Sequence, residues 1–171
     1  MGSETGDELG RARALIQNVS PELDAGRYPI KRVVGDKVVV DADIFADGHE
    51  VLSAVVRFRH AGETAWAEAS LRPLLNDRWR GQFEVTRIGN AFYCLEAWVD
   101  HFQSWRRDTQ KKLKAGQDVS TELLTCAQLL EEGAARACGS DIARLRDWAK
   151  EIRKGGPNSM FERTRLALAD C

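Results

Sequence analysis

Apolar and polar residues alternate with a period of two along most of the first hundred positions, and recur at helical spacing after that. Lys37 to Phe45 is the clearest alternation: Val38, Val40, Ala42 and Ile44 share one face, while Val39, Asp41 and Asp43 share the other. Val51 to His60 sets Leu52, Ala54, Val56 and Phe58 against Ser53, Arg57 and Arg59, and Trp79 to Val85 sets Trp79, Phe83 and Val85 against Arg80, Gln82 and Glu84. Ala14 to Val19, Ile30 to Val34 and Trp66 to Leu71 are weaker strands in the same pattern. Phe92 to Val99 is apolar on both faces, which predicts a central strand covered on both sides. Between these runs lie Gly35-Asp36, Asp47-Gly48, Ala61-Gly62 and Gly89-Asn90, pairs that reverse the chain because Gly takes positive φ without strain. Six or seven short strands with turn signals every 8–12 residues or so predict a β-sandwich.

Asp100-His101 is a polar joint, and Phe92 to Asp108 reads as a strand running straight into a helix. Gln103 to Ala115 carries charge at helical spacing and is ended by Gly116. Asp118 or Ser120 caps a second helix, to about Ala137, with Leu123, Ala127, Leu130, Ala134 and Ala137 on one stripe. A third runs from Asp141 to Lys154 with Ile142, Leu145, Ala149 and Ile152 inward, and Gly155-Gly156-Pro157 stops it. Ser159-Met160-Phe161-Glu162 has the form of a capping box opening a fourth, and the stop at Cys171 inside that helix suggests a truncated bundle. The division expected is a mobile tail over 1–12, a β-sandwich over 13–100 and a helical bundle over 101–171. Trp79 is expected in the core and Trp148 in core or interface. Trp98, Phe102 and Trp105 form the expected structural joint, with both tryptophans buried and tying sheet to helices.

Hydrophobic residues at 43% and charged ones at 30% describe an ordinary globular chain. The net charge of −1 gives no global pull toward nucleic acid or an anionic membrane. The acidic, polar start MGSETGDELG reads as neither a signal peptide nor an anchor, and no run of the sequence approaches the ~20 apolar residues of a membrane span. Cys94, Cys126, Cys138 and Cys171 lack metal-ligand spacing, so the expectation is reduced thiols in a cytoplasmic protein, with the first three as buried filler.

Candidate chemistry is sparse. His49, His60 and His101 have no second His or Cys at ligand spacing and read as exposed or locally hydrogen-bonded. No Gly-rich phosphate loop and no nucleophile motif occurs, so no catalytic, metal or cofactor-binding residue is assigned. Asp41 and Asp43 share a strand face as paired carboxylates would, but on the polar side, where a solvated face is the plainer reading. Lys111-Lys112-Leu113-Lys114 reads likewise as a solvated helix face. Trp66, beside a turn on a weak strand, is the one tryptophan offered as a platform for a sugar ring, with Arg59 and Glu68 as polar partners; packing under the loop Pro73 to Asp77 is the other reading.

Five stretches carry a more specific signal. They are Gly26-Arg27-Tyr28-Pro29-Ile30-Lys31-Arg32, Ala42-Asp43-Ile44-Phe45-Ala46-Asp47-Gly48-His49, Asn76-Asp77-Arg78-Trp79-Arg80-Gly81-Gln82-Phe83, Glu96-Ala97-Trp98-Val99-Asp100 and Ser104-Trp105-Arg106. In this order and spacing the chain, from about Val19 to Leu130, resembles the N-terminal domain of bacterial α-1,4-glucan:maltose-1-phosphate maltosyltransferases, enzymes of the α-amylase superfamily. It departs from the family's Gly-Arg-Tyr-x-Tyr turn by reading Gly89-Asn90-Ala91-Phe92-Tyr93. The resemblance implies an immunoglobulin-like β-sandwich carrying an inserted helical bundle, followed by a (β/α)8 barrel that holds the catalytic carboxylates. It also implies transfer of maltosyl units from maltose 1-phosphate to an α-glucan by a homodimer with this region in its interface. None of the barrel motifs occurs in this sequence. The expectation is therefore a non-catalytic domain serving dimerisation and support of the barrel, with a stand-alone carbohydrate-binding module docking α-glucan at Trp66 as the alternative.

Overall fold

The computed structural model describes residues 14–154 and 159–168, with the side chains of Ser159 and Phe161 not described. The expected tail over 1–12, the Gly155-Gly156-Pro157 stop, the Ser159 cap and Cys171 lie outside the described residues. The chain divides into two compact units, Met1–Asp100 and His101–Cys171.

The first unit is a sandwich of two antiparallel sheets. One has the order β1-β2-β6-β5, from β1 (Leu15–Ser20), β2 (Lys37–Phe45), β6 (Arg78–Glu84) and β5 (Arg72–Pro73). The other has the order β4-β3-β7, from β4 (Ala67–Ser70), β3 (Leu52–His60) and β7 (Ala91–Val99). The period-two alternation works as read: Val38, Val40, Ala42 and Ile44 of β2 meet Ala54 and Val56 of β3 and Trp79 and Phe83 of β6 in one buried core. Phe58 stacks on Phe83 at 4.5 Å between centroids. Gly81 lets the chain pass close to Leu71: a Cβ there would lie 3.0 Å from the Leu71 side chain, so that buried leucine would have to shift by a few tenths of an ångström.

Three expectations about the strands fail. Ile30 to Val34 forms no strand; Val33 is 67% exposed, and the Asp36 carboxylate and amide bond back to Val33 in a local turn. Among the described residues β7 is an edge strand rather than a central one, paired with β3 alone. Its inward residues Tyr93, Leu95 and Ala97 pack on the core, whereas Phe92, Cys94, Glu96 and Trp98 face outward and are exposed. Trp98 is therefore 44% exposed, and the buried position expected for it is wrong: the apolar second face of β7 is open. Cys94 and Cys138 are likewise exposed, and only Cys126 is buried filler.

The second unit contains α1 (His101–Lys114), α2 (Ser120–Arg136), α3 (Asp141–Arg153) and α4 (Ser159–Leu168). Gly116 at φ +68° ends α1: its N–H bonds Leu113 O and the next N–H bonds Lys112 O, the paired closure that a left-handed residue permits. Asp118 accepts the backbone and hydroxyl protons of Ser120 at the start of α2. The stripe Leu123, Ala127, Leu130 and Ala134 is buried. Leu123, Ala127 and Leu130 pack with Ala149, Ile152 and Trp105 in a core of the unit's own. Trp105 is 8% exposed, its indole N–H reaches Glu122 O at 2.7 Å, and Phe102 lies 5.5 Å from its ring. Trp105 is thus a core residue of the helical unit.

Candidate functional site

Antiparallel pairing puts cross-strand partners on the same sheet face, so the register builds the outer face of β4-β3-β7 directly. Arg57 lies opposite Cys94 and Glu68, Arg59 opposite Phe92, Val55 opposite Glu96 and Ser53 opposite Trp98. Arg57 holds Glu96 at 2.7 Å and Glu68 at 3.2 Å, and the Glu96 hydrogen bond, then the fields of both carboxylates, fix it in the charged form. Trp66, just before β4, receives the Arg59 guanidinium at 4.7 Å over its ring and that of Arg57 at 5.8 Å. Arg59 also donates to Glu63 O. The Glu63 carboxylate accepts the His60 N–H and the Arg87 guanidinium, and these, in that order, hold it below the usual carboxylate range.

The expected sugar platform is therefore a cation–π stack with arginine as its occupant. A ring stacking on the face of Trp66 that Arg59 occupies would have to displace that guanidinium, which also donates to Glu63 O. Arg59 and Glu68, expected as polar partners of a sugar, are placed beside Trp66 as read, but Arg59 covers the indole and Glu68 is spent on Arg57. Arg57 and Glu96 were not foreseen as members of the cluster. The alternation put Arg57 on the polar face, but only strand pairing brings Glu96 beside it.

The other candidates resolve into pairs. Arg80 grips Asp41 in a bidentate bond at 2.7 and 3.1 Å, and Asp43 accepts Asn18 at 2.7 Å and Arg78 at 2.9 Å. The Arg80 hydrogen bond lowers the Asp41 pKa, and the Asn18 and Arg78 hydrogen bonds lower that of Asp43. Both carboxylates stay ionised with their oxygens engaged, which suits neither for proton transfer. His60 Nε2 lies 3.2 Å from Thr86 Oγ1, while His49 and His101 are exposed. Among the described residues no cluster of three His, Cys, Asp or Glu is arranged to hold a metal. On α1, Lys112 pairs with Glu122 and Lys111 with Asp108. A cleft of about 410 Å³ opens at one end of the sandwich, with Phe45, Glu50, Leu74, Asp77 and the edge of Trp79 in its wall. The Trp79 N–H is already bound to Ile44 O. No described helix is long and apolar enough to cross a membrane.

Strand order β1-β2-β6-β5 over β4-β3-β7 matches the A-B-E-D and C′-C-F strands of immunoglobulin sandwiches, and defines the class: an immunoglobulin-like domain continued by a helical unit. The family model described as α-1,4-glucan:maltose-1-phosphate maltosyltransferase, domain N/S, matches residues 12–170. A maltosyltransferase of that name from Chlorobaculum tepidum is 44% identical over 153 residues, covering 90% of this chain and 23% of the relative. One from Myxococcus xanthus is 51% identical over 127 residues, covering 72% and 19%, and one from Cereibacter sphaeroides 38% over 178 residues, covering 97% and 26%. The chain belongs to this family as its N-terminal domain, and it spans about a quarter or less of these relatives' length.

Proposed function

We propose that this chain is the non-catalytic N-terminal domain of a glucan-building maltosyltransferase of the α-amylase superfamily. In this reading it serves homodimerisation and support of a (β/α)8 barrel in a cytoplasmic enzyme that transfers maltosyl from maltose 1-phosphate to an α-1,4-glucan. The match to domain N/S across nearly the whole chain, against relatives about four times its length, is the observation that carries this reading. Two features of the site support it: the carboxylates Asp41 and Asp43 on a common strand face are neutralised by Arg80 and Arg78, and the candidate sugar platform Trp66 has the Arg59 guanidinium over its ring.

The test uses the full-length Chlorobaculum tepidum relative beside a version lacking its matched segment, scored by sedimentation and by phosphate release from maltose 1-phosphate with glycogen. The deletion is expected to yield an inactive monomer, and the present chain alone to release no phosphate above a heat-killed control. A deletion that stays dimeric and active, or turnover by the chain alone, overturns the proposal.

A further inference from the structure

β1 and β2 are antiparallel neighbours, which about two to five residues can join. Here the connection takes 16 residues, 21–36, between Ser20 and Lys37. The longest of the other connections in the sandwich, 46–51, 61–66 and 85–90, have six residues each. A loop of more than about 12–15 residues inside a compact domain is usually functional. This one contains Gly26 to Arg32, one of the five stretches singled out in the sequence.

The loop is held in shape. The Tyr93 hydroxyl donates to Pro21 O at 2.5 Å, Ile30 packs against the sandwich core, Gly35 N donates to Val85 O at 2.8 Å and Val85 N to Asp36 O at 2.9 Å. Between these anchors Leu23 and Tyr28 bridge across a reversal in which Asp24, Ala25 and Gly26 all take positive φ. Asp24 and Ala25 carry a Cβ, so the left-handed backbone costs energy there. Yet Leu23, Tyr28, Val33 and Val34 are each half or more exposed. Ile88 stands fully out in the 85–90 connection at the same end of the sandwich. The charges around them are unequally matched. Arg27 lies 3.8 Å from Asp24 and the Asp36 carboxylate accepts the Val33 N–H, while Lys31 and Arg32 meet no carboxylate, and Glu22 no cation, in an ion pair among the described residues.

Apolar side chains exposed together on an ordered loop, with Tyr and Arg among them, mark an interaction surface. We propose that the loop 21–36 is the surface by which this domain docks on the part of the longer protein that this chain does not span, against an apolar face rimmed by carboxylates. The occupant rests on the reading under Proposed function; the surface itself rests on the loop. Two arguments favour this occupant over a second copy. The relatives carry about three quarters or more of their length outside the matched segment. Four or five apolar side chains also present only on the order of a few hundred Å². That is short of the ~800 Å² per partner that a stable dimer buries, whereas domains of one chain meet over as little as about 600 Å² in total. Carboxylates are called for by Lys31 and Arg32, two cations set against the single unengaged acid Glu22.

The experiment is hydrogen exchange read by mass spectrometry on the full-length Chlorobaculum tepidum relative and on its matched segment alone, at the peptide aligned with 21–36. This peptide should exchange about tenfold or more slowly in the full-length protein, while the peptide aligned with β2 differs little between the two. The second measurement uses that relative with its matched segment exchanged for the present chain. There carbodiimide should join Lys31 to an Asp or Glu beyond the exchanged segment of the same chain. Arg32→Glu with Val34→Asp should return the loop to fast exchange in this hybrid, and should leave the urea midpoint of the 171-residue chain alone unchanged. If the hybrid does not fold, the first comparison decides alone. A loop peptide that exchanges equally in the two proteins, protection lost on dilution from dimer to monomer, or a Lys31 crosslink to a second copy would each overturn the proposal. Dimerisation and turnover are read by the deletion described above. An unprotected loop beside an inactive, monomeric deletion therefore sinks this inference alone, and a protected loop beside a dimeric, active deletion sinks the functional reading alone.

Discussion

Trp98 and Trp105 lie seven positions apart on either side of the joint, and the structure gives them opposite weights. Trp105 is 8% exposed in the helical core, with its N–H on Glu122 O. A buried tryptophan withdraws roughly 150–250 Å² from water, worth about 4–6 kcal/mol at ~25 cal/mol per Å². Residual burial in the unfolded chain lowers that figure, bringing it to the ~3–5 kcal/mol seen for aromatic truncation in cores. Trp105→Ala should therefore cost about 3–5 kcal/mol, and Trp105→Phe about 1–2 kcal/mol, chiefly the lost hydrogen bond and the smaller ring. Trp98 is 44% exposed on the outer face of β7, so scaling the same burial gives about 2–3 kcal/mol for Trp98→Ala. The assay is urea unfolding, followed at 222 nm for the helices and by NMR of Val40 and Val56 amides for the sandwich. Each midpoint is converted with its own slope, because the two units need not melt together. The expected result is a large loss in the helical transition for Trp105→Ala and a smaller one in the sandwich for Trp98→Ala. A Trp98→Ala loss as large as that of Trp105→Ala, or a Trp105→Ala loss below about 1 kcal/mol, refutes the burial argument.

Two further outcomes follow from the site. Hydrogen bonds from Arg80 to Asp41, and from Asn18 and Arg78 to Asp43, lower both carboxylate pKa values below the ordinary 3.8. Their stabilisation is thus present above that value and lost as pH falls through the lowered one; Arg80→Gln should flatten the acid limb of sandwich stability, and an unchanged acid limb removes the pairing from the account. Because Arg59 lies over Trp66, maltoheptaose should bind the chain with a Kd no tighter than about 1 mM in calorimetry or NMR titration. Tighter binding that Trp66→Ala abolishes would move the reading to a carbohydrate module.

The strand-rich first hundred residues and the helical remainder were legible in the sequence, because the two periods, 2 and 3.6, are properties of the local backbone. The inward residues of β2 and the stripe of α2 were read from spacing alone, and Gly116 ended α1 for a reason local to its φ. The sequence motifs likewise pointed to the family. What spacing could not supply was which strands are neighbours. The apolar second face of β7 looked like a buried strand, but a two-layer sandwich covers one face of each sheet, and Trp98 and Cys94 lie on the other. Ile30 to Val34 had strand-like residues but pairs with no strand among the described residues, and Asp36 holds Val33 in a turn. Trp66 could be named as an aromatic beside polar residues, but that the Arg59 guanidinium lies over its ring was decided by β3 and β4 lying side by side. Long-range pairing places groups far apart in the chain within a few ångströms of one another, and no local period encodes that distance.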